Sequence, residues 1–277
     1  MSDYNASYTA LGSAYLRAAH QLFEAQPLLF DDPVALPLLG PKAIKLIQDA
    51  AANYRTPEML ALRAHVVLRS RFTEDRLAAA VSRGITQYII LGAGFDTFAL
   101  RQPSWAQKLK IIEVDHAGTQ TMKRSHIAAA GLAMPKNVVF ADIDFENESL
   151  HDGLLRCGVS MKKPSFFSWL GVTMYLKEDA IDAVLRSVAM FPADSEIVLT
   201  FLTQSSDSPS PLSQRVANLG EPWVSCFEHD VLEAKLCGNG FSKVEFLTPA
   251  EAEERYFRQR PKDLHVPNKI NILCAVR

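Results

Sequence analysis

No stretch of this chain approaches the roughly 20 consecutive apolar residues needed to cross a bilayer, so no membrane-spanning helix is expected. Charge of one sign is lacking as well: 29 Lys and Arg stand against 31 Asp and Glu, a net charge of -2. That balance excludes a dedicated nucleic-acid binder, which needs a concentrated positive field for phosphate contacts. The four cysteines, Cys157, Cys226, Cys237 and Cys274, form no C-x-x-C pair and do not cluster with histidine at zinc-ligand spacing. The seven histidines are scattered, with no H-x-x-x-H pair, so no metal is expected. Free thiols point to a reducing compartment. The first eight residues are polar and lack the basic-then-apolar layout of a secretory signal. The expected location is therefore the cytoplasm, and nothing in the sequence bears on oligomeric state.

What is present suits a large α/β domain. The 277 residues are 48% hydrophobic and 22% charged, enough to bury a sizeable core. The first 84 residues read as a helical cap without a strand. Helices are expected over 13–25, over 40–52, and from Thr56-Pro57-Glu58 to about residue 81. In the last of these Thr56 serves as N-cap, Pro57 sits at the first helical position, and Gly84 follows the end. Residues 85–277 then alternate strand and helix. Short apolar runs at 87–91, 109–114, 138–141, 165–170 and 196–202 have the form of fully buried parallel strands. Helical patterns at 119–130, 149–157 and 178–190 separate them, as right-handed crossovers of a doubly wound sheet would. A polar, Pro/Ser-rich segment at 204–211 reads as a loop, a linker or an active-site flap. Helices at 228–236 and 249–256 and strands at 241–247 and 270–276 complete the chain, with no internal repeat and one domain throughout.

The strongest chemical signal is Leu91-Gly92-Ala93-Gly94-Phe95-Asp96-Thr97, directly after the first buried strand. Gly92 lets the strand end turn sharply, and Gly94 lets backbone approach a ligand. A nicotinamide dehydrogenase would want a third glycine where Thr97 stands, and Asp96 is poorly placed beside a pyrophosphate. S-adenosylmethionine (SAM) has no phosphate and carries an ammonium and a sulfonium, so the acid is tolerable for it. The second signal is Asp115, closing the second strand 21 residues beyond Gly94, where a carboxylate can accept from both ribose hydroxyls. The alternative role for Asp115 is an N-cap of the helix starting near Gly118. Glu113, two residues earlier in the same strand, should face the helices. Asp142, after the third strand, can accept from an adenine amino group while Ile143 packs the ring. The fourth signal is the run from Ser168 to Leu176, whose strand end faces the transferred methyl group; Trp169 and Met174 taken alone are more often core residues than ligand contacts.

Taken in order, these segments resemble the leucine carboxyl methyltransferase family, in particular its bacterial branch of SAM-dependent O-methyltransferases. The resemblance covers most of the chain. It includes Tyr15-Leu16-Arg17-Ala18, Asp32-Pro33-Val34-Ala35, Arg69-Ser70-Arg71-Phe72, Glu113-Val114-Asp115-His116 and Trp169-Leu170-Gly171-Val172-Thr173-Met174-Tyr175-Leu176. Gly220-Glu221-Pro222-Trp223, Gly240-Phe241 and the segment from Arg255-Tyr256-Phe257 to Leu264 also fit. It implies a class I SAM-dependent methyltransferase fold, Rossmann-like, with a seven-stranded sheet and an antiparallel last strand. It also implies SAM as methyl donor and S-adenosylhomocysteine as product. By position, Arg69 matches the arginine that pairs with the SAM carboxylate. Gly92, Ala93 and Gly94 match the turn under the methionine part, Asp115 with His116 the ribose end, and Asp142 with Ile143 the adenine pair. Leu170 falls at the end of the fourth strand beside the methionine, and Tyr175 matches the tyrosine close to the substrate carboxylate.

The chain departs from the family pattern in three places. Phe98 stands where an arginine usually follows G-x-D-T, with Arg101 as the nearest substitute. Leu170-Gly171 stands where eukaryotic members have Glu-Gly or Glu-Cys. No residue matches the eukaryotic substrate lysine, so transfer to a protein C-terminal leucine is not implied. The expected reaction is O-methylation of a carboxylate on a small metabolite or peptide. A carboxylate is already ionised near pH 7, so no general base is required; Tyr175 would orient the acceptor and Arg255 would hold a second anionic group. A phenol or alcohol acceptor would instead call on His116 or His229 as base. A SAM-binding protein without turnover and a nicotinamide oxidoreductase are the competing readings.

Overall fold

A computed structural model of the protein describes residues 7–203 and 211–277; most of the loop expected at 204–211 thus lies outside the described residues. Seven strands form one mixed sheet in the order β3-β2-β1-β4-β5-β7-β6. They are β1 (Gln87–Leu91), β2 (Lys110–Asp115), β3 (Val138–Asp142), β4 (Phe166–Trp169), β5 (Glu196–Thr200), β6 (Lys243–Phe246) and β7 (Ile272–Val276). The first five are parallel, and β7 runs antiparallel to both β5 and β6. The strand order therefore reverses between β1 and β4. In an open α/β sheet the crevice at such a reversal, outside the carboxyl ends of the strands, is where ligands bind.

Strand periodicity explains why both faces are covered. Side chains alternate faces along a strand, and in β1 to β5 both sets are mostly apolar. Tyr88, Ile90, Ile111, Phe166 and Val198 pack with Leu68, Phe72 and Leu77 of the long helix α5 (Pro57–Ser82). Ile89, Leu91, Ile112, Phe167, Trp169 and Leu199 pack on the opposite face with Leu154, Leu185 and Leu236. Those three belong to α7 (Leu150–Arg156), α8 (Glu178–Ala189) and α10 (His229–Gly238). Glu113, on the α5 face of β2 with Ile111, is buried and ion-paired at 2.5 Å with Lys123 of α6 (Ala117–Ala129).

The N-terminal segment is helical, with boundaries that differ from expectation. Helix α1 (Tyr8–Phe23) starts five residues early because the Ser7 hydroxyl caps it, accepting from the Ala10 N–H at 3.0 Å. Helix α5 is one continuous helix of 26 residues, with Thr56 as its side-chain cap. The helix expected over 40–52 is split into α3 (Pro41–Asp49) and α4 (Ala51–Tyr54). Two short helices were not foreseen, α2 (Ala35–Leu39) and α9 (Pro211–Asn218); α11 (Pro249–Ala252) continues into a π-turn over Glu253–Phe257. Among the described residues no helix is long and apolar enough to cross a membrane. No group of three or more His, Cys, Asp or Glu among them could hold a metal ion.

The cap is fastened to the sheet through the turn after β1. Phe95, 1% exposed, inserts among Ala14, Ala18, Leu38 and Ile47 of the cap. Beside it, Asp32 is fully buried and accepts from the Thr97 hydroxyl at 2.6 Å. The same carboxylate faces Arg17 and Arg101, each at 3.4 Å, and Arg17 also donates to the Phe95 carbonyl. Removing one member of a buried charged group strands the others in a low-dielectric site, typically at 3–5 kcal/mol. Asp32→Asn is therefore expected to lower the unfolding free energy by about 3 kcal/mol in urea denaturation. A loss under about 1 kcal/mol would show that the two arginines do not depend on it.

Candidate active site

Three chain segments converge where the strand order reverses. The turn after β1 places Gly92 and Gly94 at φ 65° and 49°, backbone conformations that favour glycine. A Cβ on Gly92 would lie 2.3 Å from Val172 Cγ2, and one on Gly94 would lie 2.9 Å from Ala10 Cβ. Both glycines are thus required by close packing: the first against the segment after β4, the second against α1. Ala93 between them is buried and packs with the α5 side of the core.

Asp115, at the end of β2, joins this turn to the next strand. One carboxylate oxygen accepts from the Gly94 N–H at 2.5 Å and the other from the His116 N–H at 2.7 Å. Burial raises its pKa, and those two backbone donors work against the rise. The helix-cap alternative does not hold. The N-cap of α6 is His116, whose Nδ1 accepts from the Gly118 N–H at 3.4 Å, and its ring is exposed. Each Asp115 oxygen takes one protein N–H and retains capacity for a further donor.

Asp142 pairs in register with Asp115 across β2 and β3 and is exposed. Ile143 departs from its expected role. It is 2% exposed and turned into the core, where its Cδ1 fills the space a Cβ on Gly153 would need, and its N–H is taken by the Asp115 carbonyl at 3.2 Å. The next aromatic along the chain, Phe145, is partly buried and meets Trp169 edge-on at 6.1 Å.

Arg69 enters from α5. Its nearest hydrogen-bond partner is Ser13 Oγ of α1, at 3.5 Å, and no carboxylate among the described residues lies within ion-pair distance. Burial first, and then the neighbouring Arg17, push its pKa down to about 10, while Tyr175 and Asp96 act in the opposite direction. Tyr175 therefore stands in electrostatic reach of Arg69. It is half-buried, in a single 3-10 turn (Thr173–Tyr175) held by Thr173 Oγ1 donating to the Thr200 carbonyl at 2.8 Å. Leu170 packs half-buried against the α5 side of the core. Gly171, at φ 75°, makes room for Arg69: a Cβ there would lie 2.6 Å from Arg69 Nη1.

Several expected residues are not brought to this place. Arg255 is exposed and lies over the rings of Phe72 and Tyr256, at 5.5 and 4.9 Å. His229 lies against Phe201 and Phe246, at 5.2 and 4.8 Å. Arg101 does not substitute for the family arginine, because Glu74, Asp32 and Thr97 hold it. Phe98 is core, edge-on to Tyr88 at 5.1 Å. Conversely, Ser13, Gly171 and His65 were not foreseen at the site. His65, one helical turn before Arg69 on α5, has its pKa lowered to about 3 by burial and by Arg69. The helical spacing of Ala10, Ser13, Ala14 and Arg17 was the available signal for Ser13, since residues three and four apart share a helix face.

The family model of leucine carboxyl methyltransferase matches residues 10–189. A Bacillus subtilis protein named "Putative S-adenosyl-L-methionine-dependent methyltransferase YktD" is 29% identical over 100% of both chains. A similarly named protein of Mycobacterium sp. (strain JLS) is 36% identical over 67% of this chain and 73% of its own length. Among solved structures, a Thermobifida fusca "putative methyltransferase" superposes with a TM-score of 0.55 at 19% identity, covering 87% of this chain and 91% of that one. A DUF574 family protein from Streptomyces avermitilis gives a TM-score of 0.55 at 16% identity, covering 96% and 95%. At those identities the two structures speak for the fold, a class I methyltransferase sheet. Sequence, sheet order and the matched segment agree, and the chain belongs to the leucine carboxyl methyltransferase family.

Proposed function

We propose that the chain is a SAM-dependent O-methyltransferase that esterifies a carboxylate of a small metabolite or peptide. The observation that carries this reading is Arg69, a half-buried guanidinium at the strand reversal without a carboxylate partner among the described residues. Withdrawing a cation from water without compensation is costly, and an anionic ligand group offsets that cost. The methionine carboxylate of SAM supplies such a group. Asp115 has capacity for the ribose hydroxyls, exposed Asp142 for the adenine amino group, and Asp96, in electrostatic reach of Arg69, for the ammonium. In this reading residues 1–84 form the cap and 85–277 the SAM-binding core of one cytoplasmic domain. The free thiols of exposed Cys226 and Cys237 fit a reducing compartment.

SAM brings an electrophilic methyl carbon on a sulfonium. What the chain must supply is alignment and exclusion of water. Tyr175 orients the acceptor oxygen. A carboxylate arrives ionised, and the surroundings of Tyr175 suit that. The histidine nearest to Arg69 along α5 is His65, whose pKa near 3 makes it too weak a base to deprotonate an alcohol. His116 sits at the sugar end and His229 on the phenyl rings, and Arg255 takes no part.

Calorimetry with SAM and with adenosine tests the assignment of Arg69. Arg69→Met should weaken SAM binding by roughly 2–3 kcal/mol, the worth of hydrogen bonds to a charged group, and leave adenosine binding unchanged. Equal losses for both ligands would sink the assignment. Asp115→Ala should weaken both ligands by roughly 1–3 kcal/mol; unchanged affinity would show the sugar lies elsewhere.

His65 sets a pH dependence. Unfolded, it takes its proton near 6.5; folded, only near 3. Between those values the unfolded chain binds one more proton, so stability is complete above about 6.5 and falls on acidification, by at most about 1.4 kcal/mol per pH unit for this group. His65→Asn should flatten the loss of denaturation midpoint between about pH 7 and pH 5. Superimposable profiles for the two proteins would contradict it.

A further inference from the structure

The segment from Glu221 to Ser225 is a strap across the mouth of the site. At one end Glu221 Oε2 accepts from the Thr9 N–H at 2.9 Å, at the start of α1. At the other, the Val224 N–H donates to the Met174 carbonyl at 2.8 Å, one residue before Tyr175, and Ser225 Oγ donates to the Leu176 carbonyl at 2.5 Å. Burial alternates along it. Glu221, Trp223 and Ser225 are partly buried, while Pro222, Val224 and Cys226 are exposed. In an extended segment alternate side chains share a face, so Trp223 points the same way as Glu221 and Ser225, whose side chains both reach inward. Its indole nitrogen is inaccessible to solvent and has no hydrogen-bond partner among the described residues. Buried donors in folded proteins are nearly always paired, and an unpaired one beside a site calls for a ligand atom.

We propose that the Trp223 indole N–H holds the acceptor oxygen beside Tyr175, and that this oxygen belongs to a carboxylate. This rests on the methyltransfer reading above and adds to it the residue that positions the acceptor. An indole N–H donates and cannot accept, so it suits an oxygen that carries only lone pairs. An alcohol held there would keep its proton. In the transfer, a carboxylate oxygen forms the new bond to the methyl carbon, the carbon–sulfur bond breaks, and its electron pair stays on sulfur. No proton moves.

The chain has three tryptophans, so a 15N-labelled sample gives three indole signals, and Trp223→Phe identifies that of Trp223. With S-adenosylhomocysteine bound, hexanoate or phenylacetate should move the Trp223 indole proton downfield, and 2-phenylethanol should not. The inference is overturned if neither carboxylate moves that signal, or if 2-phenylethanol moves it as far. Calorimetry with S-adenosylhomocysteine alone keeps the two readings apart. Wild-type protein that does not bind it removes the methyltransfer reading and this inference with it; normal binding with a silent Trp223 signal removes this inference only.

Discussion

The turn at 92–97 is held from two sides at once, and the geometry of the site depends on that clamp. On the sheet side the Gly94 N–H is tied to Asp115, so the end of β1 cannot drift from the end of β2. On the cap side Phe95 is buried among small residues of the helices, Arg17 holds the Phe95 carbonyl, and Asp32 holds Thr97. The helical cap is therefore more than a cover. It supplies the wall against which the glycine turn is shaped, and Gly94 has no Cβ because Ala10 occupies that space. Loss of the clamp would reach the ligand before it reached the core, because the backbone it fixes is the backbone of the crevice.

Electrostatics at the site follow from the same arrangement. Two arginines from the cap side, Arg17 and Arg69, stand close enough to oppose each other's charge, yet they are treated differently. Arg17 has Asp32 and a carbonyl; Arg69 has a serine hydroxyl at the limit of hydrogen bonding. The fold neutralises buried Arg17 thoroughly and leaves half-buried Arg69 without a carboxylate partner among the described residues. His65 responds to that bare charge, which together with burial keeps its ring neutral.

Much of this was legible in the sequence, for a physical reason. Fully buried parallel strands read as continuous apolar runs, and all five were found at their places, although β3, at the edge of the sheet, is only partly buried. Asp115 was legible from its spacing to the glycines. What was not legible depended on contacts between distant segments. Gly171 read only as a departure from a family pattern, whereas its missing Cβ is what admits Arg69. Ile143 read as a ring-packing residue because strand parity alone does not show that Gly153 of α7 receives its side chain. Helix α2 was too short to carry a periodic signal of its own.

The two departures at Phe98 and Leu170 have a common consequence. With Phe98 in the core against Tyr88, and Arg101 consumed by Glu74 and Asp32, no second arginine of this turn is left to face an anion in the crevice. With Leu170 in place of an acid, the end of β4 offers no carboxylate to pair with Arg69 either. Each change taken alone looks like the loss of a ligand contact. Together they remove a cation and an anion from one crevice, so its charge balance is kept and Arg69 is left there without a carboxylate partner among the described residues. Gly171 belongs to the same arrangement: its φ of 75° favours glycine, and a Cβ there would lie 2.6 Å from Arg69 Nη1.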